Sequence, residues 1–145
     1  MSFNTISEWL SLNSNLLIGA TWETIYMVAV AGIVGFAVGI PLGVILHTTK
    51  KGGLLENTKL NSILGAVVNV GRSVPFLVLM VAIIPVTKIL VGTFIGTTAA
   101  IVPLTIGAIP FVARLIEGAL LEVPTGLVEA AQSMGATPVS YTHLT

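Results

Sequence analysis

The chain has 145 residues, of which 54% are hydrophobic and only 8% are charged. Soluble domains carry about 25% charged residues, so this composition excludes an ordinary soluble domain and indicates a protein of the lipid bilayer. Six acidic residues balance six Lys and Arg residues, so net charge gives no attraction to nucleic acid, and the lack of cysteine excludes disulfide and thiolate chemistry.

The N-terminal part of the chain predicts a polar segment followed by a membrane span. Residues 1–23 lack the basic start and apolar core of a cleaved signal peptide, and we expect them to lie outside the cytoplasm. The uncharged run that follows exceeds the roughly 20 residues that cross a bilayer, which predicts a span at about 24–46. Gly35, Gly39 and Gly43 recur in it at four-residue spacing. They predict a helix-packing face, although glycine is also simply frequent in membrane helices.

Two further spans are predicted, with an interfacial helix before them. Arg72 interrupts the next apolar stretch, so residues 60–72 are interpreted as a helix at or near the interface and 74–91 as the second span. Lys88 lies at its far end, where its amine reaches the interface. A third span is predicted at about 94–116, because membrane helices tolerate prolines when neighbours satisfy the freed carbonyls. The chain is therefore predicted to be an all-α, multi-pass membrane protein.

The distribution of lysine and arginine predicts the orientation in the membrane. Lys50, Lys51 and Lys59 share the loop after the first span, and after three crossings Arg114 lies on the same side. The positive-inside rule places this side in the cytoplasm and the N-terminus outside.

The polar residues do not form a recognisable catalytic or metal site, so we do not expect an enzyme. The sequence has no Asp and no Cys. His47, next to two lysines, is interpreted as a solvated loop residue rather than a metal ligand. Arg114 and Glu117 lie three residues apart on a predicted helix, so a local ion pair is the default interpretation, with a part in gating as the alternative.

Arg72 and its neighbours allow two interpretations. Arg72, Ser73 and Pro75 are candidate gating or structural residues of the membrane-spanning part, and an arginine here also commonly ends a helix and reaches toward the interface. Asn69 is a candidate for a hydrogen bond between helices.

Residues 123–138 follow the third span and predict a short amphipathic helix in the cytoplasm. Pro124 and Thr125 are typical of a helix start, and Gly135 of a left-handed helix end. Four apolar residues recur at i, i+3, i+4 and i+7, namely Leu127, Ala130, Ala131 and Met134. Glu129 lies on another face. A helix this short is marginal alone in water, so the apolar stripe has to be buried, against a partner, its own chain or the lipid.

Three motifs carry a family resemblance. Glu129-Ala130-Ala131 followed by Gly135 resembles the EAA loop of permease subunits from bacterial ATP-binding-cassette (ABC) importers. Together with NVGRSVPFLVLM at 69–80 and AAIVPLTIGAIPFVARLIEGALLEVP at 99–124, it is similar to the methionine importer permeases in particular. The resemblance implies the type I ABC importer permease fold in residues 24–138, with about three of an expected five spans present.

The resemblance also implies a function and partners. Two identical permease subunits would move methionine across the bacterial inner membrane by alternating access, after delivery by an extracytoplasmic methionine-binding lipoprotein. Cytoplasmic ABC ATPase subunits would bind ATP and Mg²⁺, because this sequence contains no GxxxxGK[ST] loop and no other cofactor site. The residues implied to contact the ATPase are Leu127, Glu129, Ala130, Ala131, Met134 and Gly135.

The resemblance ends after Pro138. Residues 139–145, including Tyr141 and His143, are interpreted as a foreign tail on a truncated permease. Two alternatives remain at this point: a permease for another amino acid or small solute, or a small membrane interaction protein that transports nothing.

Overall fold

The computed structural model describes residues 3–135, which form α-helices and contain no strand. The all-α fold class is therefore confirmed for this part of the chain. The helices, in chain order, are α1 (Phe3–Thr49), α2 (Thr58–Ser73), α3 (Phe76–Ala82), α4 (Ile84–Val91), α5 (Thr97–Leu121) and α6 (Thr125–Ser133).

Helix α1 is much longer than the span predicted at 24–46. Residues 3–23, expected as a separate polar segment, are helical and continuous with that span. Polar side chains are accommodated because they bond to carbonyls of the preceding turn: Ser11 Oγ donates to Glu8 O, and Asn13 Nδ2 donates to Trp9 O. At 1.5 Å per residue the 47 residues extend for about 70 Å, more than twice the roughly 30 Å of the hydrocarbon core.

Helices α1 and α5 are long and apolar enough to cross a membrane, and they pack closely. The glycine stripe of α1 lies against α5. A Cβ added at Gly35 would lie 2.9 Å from Ala108 Cβ, and one added at Gly43 would lie 2.8 Å from Ile116 Cβ. Because residue numbers rise together along both helices, α1 and α5 run parallel. A chain that crosses in the same direction twice has to return across the bilayer between the two crossings.

The residues between α1 and α5 form three helices separated by breaks. Helices α2 and α3 are bent by 105°. Val74 between them is extended, since the residue before Pro75 is sterically disfavoured in helical conformation. The predicted span 74–91 is also not one helix, because α3 ends before Ile83 and α4 begins after it. Pro85 explains this break, since it lacks the N–H that would continue the hydrogen-bond ladder.

The best buried part of the described chain lies where α1, α2 and α5 meet. Leu46, Val68 and Ala113, one from each helix, form its centre. Asn61 of α2 closes this junction: its Nδ2 donates to Leu46 O at 2.6 Å and to Thr49 Oγ1 at 3.1 Å. The junction fixes the ends of α1 and α5 that lead to the Lys50 loop and to α6.

Candidate functional site

Helix α6 is the short amphipathic helix predicted from the sequence. It spans Thr125–Ser133, and in its first turn Leu127 N donates a hydrogen bond to Pro124 O at 3.0 Å. Beyond its end, Gly135 has a φ of +82°, in the left-handed region that glycine adopts without strain. The predicted limits of the helix are therefore confirmed. Residues 136–138 of the predicted loop and the tail 139–145, with Tyr141 and His143, lie outside the described residues.

Most of the apolar stripe of α6 is not covered by the described part of the chain. Leu127 is 56% exposed and Met134 is 83% exposed, and Ala130 is exposed as well, whereas Ala131 is only 8% exposed. Glu129 is also exposed, so its carboxylate is available to a partner. Among the described residues, burial against its own chain therefore does not account for the stripe.

Arg114 joins α5 to α2 just before α6. Its Nη1 forms the ion pair expected with Glu117, at 2.5 Å. Its Nη2 donates to Asn69 Oδ1 at 2.8 Å and to Gly65 O at 3.2 Å. Both acceptors belong to α2, so these bonds join the two helices. Asn69 thus makes the interhelical hydrogen bond for which it was a candidate, with Arg114 as its partner. Spacing along the sequence could not identify that partner, because 45 positions separate the two residues.

Arg72, Ser73 and Pro75 occupy the bend between α2 and α3. Ser73 Oγ donates to Asn69 O at 2.7 Å, a bond within its own helix, and Pro75 precedes the first turn of α3. Arg72 is exposed and lines a cavity of about 390 Å³ that Arg114 and Glu117 also line. The structure therefore brings Arg72, Arg114 and Glu117 to one cavity, but it places α6 and its residues elsewhere.

The interpretation of His47 as a solvated loop residue is wrong. His47 lies in the last turn of α1, where it is half-buried, and its buried Nδ1 has no hydrogen-bond partner among residues 3–135. The helix continues past the predicted boundary at 46 because Thr48 and Thr49 donate their hydroxyls back to Ile45 O. The part of the chain that the structure describes contains no group of three or more His, Cys, Asp or Glu residues that could hold a metal ion.

Comparison with known proteins decides the family. Residues 39–144, most of the chain, match the family model described as the binding-protein-dependent transport system inner membrane component. The chain belongs to this family. The family is described as an inner membrane component, which agrees with the apolar helices α1 and α5.

The relatives of this transport component confirm the resemblance read from its motifs. It is 84% identical over 139 residues to a probable D-methionine transport system permease protein, MetI, of Vibrio cholerae; the match covers 96% of this chain and 62% of the relative. It is 53% identical over 124 residues to the D-methionine transport system permease protein MetI of Escherichia coli strain K12, covering 86% and 57%.

A solved structure confirms the type I permease fold. The inward-facing MetNI methionine ABC transporter contains a chain that is similar with a TM-score of 0.84 and 48% identity. The match covers 99% of this chain and 62% of that one. This transport component therefore spans less than two thirds of the length of the relatives it matches.

Proposed function

We propose that the chain is a permease subunit of an ATP-driven importer that moves methionine across the bacterial inner membrane. Two copies would assemble with two cytoplasmic ABC ATPases, which bind the ATP and Mg²⁺, and an extracytoplasmic lipoprotein would deliver the solute. The observation that carries the proposal is the exposed apolar stripe of α6. It lies on the EAA motif of a chain whose relatives are named as methionine permeases.

The parallel packing of α1 and α5 supports a cytoplasmic position for α6. Since the two helices run in the same direction, α6 leaves the membrane at the end where α1 continues into Lys50 and Lys51. Cytoplasmic loops carry an excess of Lys and Arg. By the same argument the N-terminus would lie outside, where the lipoprotein would deliver its solute.

The contacts of α5 give a route from the ATPase to the spans. Helix α6 follows α5 after three residues, so a displacement of α6 acts directly on the end of α5. Arg114 ties that end to α2, and the close approach at Gly39 and Gly43 ties α5 to α1. Because these three helices are held at several points, they would move as one body when the ATPases close.

The exposed residues of α6 have the chemistry of a helix that enters a groove. Leu127 and Met134 supply apolar anchors, and Glu129 can pair with a cation of the ATPase. The small side chain of Ala130 keeps the helix narrow enough to enter a groove. Gly135 ends the helix abruptly, so that the chain can leave the groove.

A binding experiment tests whether α6 is the helix that contacts the ATPase. The ATPase of the same transport system is used as bait, with Glu129→Lys and Gly135→Leu as variants. Glu56→Lys is the control, since it makes the same charge reversal in the exposed loop after α1. We expect both α6 variants to weaken the association and the control to bind like the unaltered chain. Equal binding by all four chains would overturn the coupling role.

An uptake assay tests which solute the importer carries. Vesicles that contain the chain, the ATPase and the binding lipoprotein should accumulate labelled methionine only when ATP is present. Unlabelled D- and L-methionine should compete, and amino acids with charged side chains should not. Accumulation of another amino acid in preference to methionine would assign the other substrate, and association without any uptake would favour an interaction protein.

A further inference from the structure

Three cavities follow one another along α5. One of about 260 Å³ lies beside residues 96–103, one of about 500 Å³ beside 104–111, and one of about 390 Å³ beside 111–121. The middle cavity is bounded by α5 on one side and by the break between α2 and α3 on the other. The α5 residues that line them lie on successive turns, so the three cavities follow one side of this helix.

The middle cavity lies within the predicted membrane, in its cytoplasmic half. Its wall includes Gly71, which packs against Pro110 of α5: an added Cβ would be 3.1 Å from Pro110 Cγ. Pro110 lies about 9 Å along the helix from residue 116, where the third span is predicted to end, which is within the cytoplasmic half of a hydrocarbon core of about 30 Å.

Arg72 brings a positive charge without a partner to this cavity. It lines both the middle cavity and the one nearer the cytoplasm, as does Phe111. Its guanidinium makes no hydrogen bond or ion pair within residues 3–135, whereas Arg114 is held by three partners. Charged residues at membrane depth are costly, and they are typical of ion and substrate pathways. Glu117, which lines the neighbouring cavity together with Arg72, is already paired with Arg114, so Arg72 has no anionic partner among the described residues.

The rest of the wall defines the remainder of the ligand. Phe76, Leu79 and Phe111 present apolar surface, and Gly107 leaves room opposite them. A Cβ added at Gly107 would be 3.5 Å from Leu79 Cδ2 and 3.8 Å from Phe76 Cδ2, which are ordinary contact distances, so a small side chain fits at this position. A small molecule with one carboxylate and one apolar side chain suits this wall.

We infer that the middle cavity is a solute site within the transport pathway and that Arg72 binds the carboxylate of the amino acid that is carried. The planar guanidinium donates two parallel hydrogen bonds to the two carboxylate oxygens. The apolar side chain of the solute lies against Phe76, Leu79 and Phe111. This assignment rests on the proposed function, because it deepens the substrate class of the same importer.

The absence of cysteine from the sequence allows a test at the site itself. Gly107→Cys places a single thiol in the cavity, and its rate of reaction with a maleimide is measured in the detergent-solubilised complex with the ATPase. We expect L-methionine at millimolar concentration to slow the reaction. Methioninol, which lacks the carboxylate, should need a concentration at least about tenfold higher, since hydrogen bonds to charged groups contribute at least that factor. A thiol at Gly19, which has open space around it, should react equally with and without solute.

Variants of Arg72 examine the same contact from the protein side. Arg72→Gln should abolish protection of the thiol by methionine, and Arg72→Lys should retain part of it because the charge remains. An unchanged reaction rate without solute shows that the cavity is intact. The methioninol comparison uses unaltered Arg72, so it decides the question even when a variant does not fold. Equal protection by methionine and methioninol, or protection that persists in Arg72→Gln, would overturn the assignment.

The outcomes separate the site from the function. Protection that requires both Arg72 and the carboxylate, in a complex that shows no uptake, supports the site and overturns the importer proposal. Uptake of methionine by the unaltered chain, with no protection of the thiol at residue 107 or with equal protection in Arg72→Gln, supports the importer and overturns this site.

Discussion

The contact between α1 and α5 at Gly39 gives the sharpest prediction for stability. A Cβ added there would lie 2.7 Å from both Cβ and Cγ1 of Val112 and 3.1 Å from Ile109 O. Carbon atoms in contact lie about 3.5–4.0 Å apart, so Gly39→Ala forces the two helices apart by about 1 Å. Membrane helices associate through such close packing, since the lipid is as apolar as the side chains.

The expected loss of stability follows from this overlap. Inserting one carbon into a tight contact costs about 1–3 kcal/mol, which multiplies the unfolding equilibrium constant by roughly 5–150-fold. Gly32→Ala is the control on the same helix, because an added Cβ there meets nothing within 4 Å. The control should be neutral or more stable by up to about 1 kcal/mol, since alanine favours helix over glycine.

Unfolding is followed by energy transfer between dyes on cysteines introduced at Ile25 and Ile95. Both side chains are exposed, and they lie near the hydrogen bond of 2.9 Å from Thr97 Oγ1 to Glu23 Oε2, which joins α1 to the start of α5. Sodium dodecyl sulfate is titrated into mixed micelles until the energy transfer is lost. If Gly39→Ala unfolds at the same detergent fraction as Gly32→Ala, the close approach of the two helices is refuted.

Two further substitutions have defined outcomes. Asn69→Ala removes one hydrogen bond of the charged Arg114 and should lower the free energy of unfolding by about 1.5 kcal/mol. Asn13→Ala loses only an exposed bond within α1 and should change it by less than about 0.5 kcal/mol, so equal effects of the two substitutions in the detergent titration would contradict the prediction. Gly135→Ala puts a side chain at a φ of +82°, which costs about 1–2 kcal/mol, so it should weaken association with the ATPase. Gly126→Ala, in open space within α6, should not weaken it, and a stronger loss in this control would contradict the role of the helix end.

Local patterns were sufficient to predict α6. Pro124 and Gly135 act on the backbone at their own positions, so they define the start and end of the helix in any context. The ion pair of Arg114 with Glu117 follows in the same way from helical spacing.

The limits of the apolar helices could not be predicted equally well. An apolar run shows that a span is present, but it does not show where the helix begins, so α1 extends through residues that read as a separate segment. Proline gives an ambiguous signal as well. Pro103 and Pro110 are buried within α5, which stays continuous because neighbouring helices pack against it. By contrast, the helix breaks between α3 and α4, just before Pro85.

The contacts that build the candidate sites depend on tertiary structure. Asn69 and Arg114 meet because α2 folds back against α5, and Arg72 and Phe111 line one cavity for the same reason. The sequence identified Arg72 as unusual from its charge within an apolar stretch, but it could not reveal the cavity or the lack of a partner for its guanidinium.

The most direct test of the account is the position of α6 relative to the membrane and the ATPase. A single cysteine replaces Glu129, and an impermeant maleimide is added to membrane vesicles of either orientation, with and without bound ATPase. The account predicts labelling only from the cytoplasmic side and protection when the ATPase is bound. Labelling from the outer side, or cytoplasmic labelling that the ATPase does not slow, would contradict the claim that the ATPase binds the permease at α6.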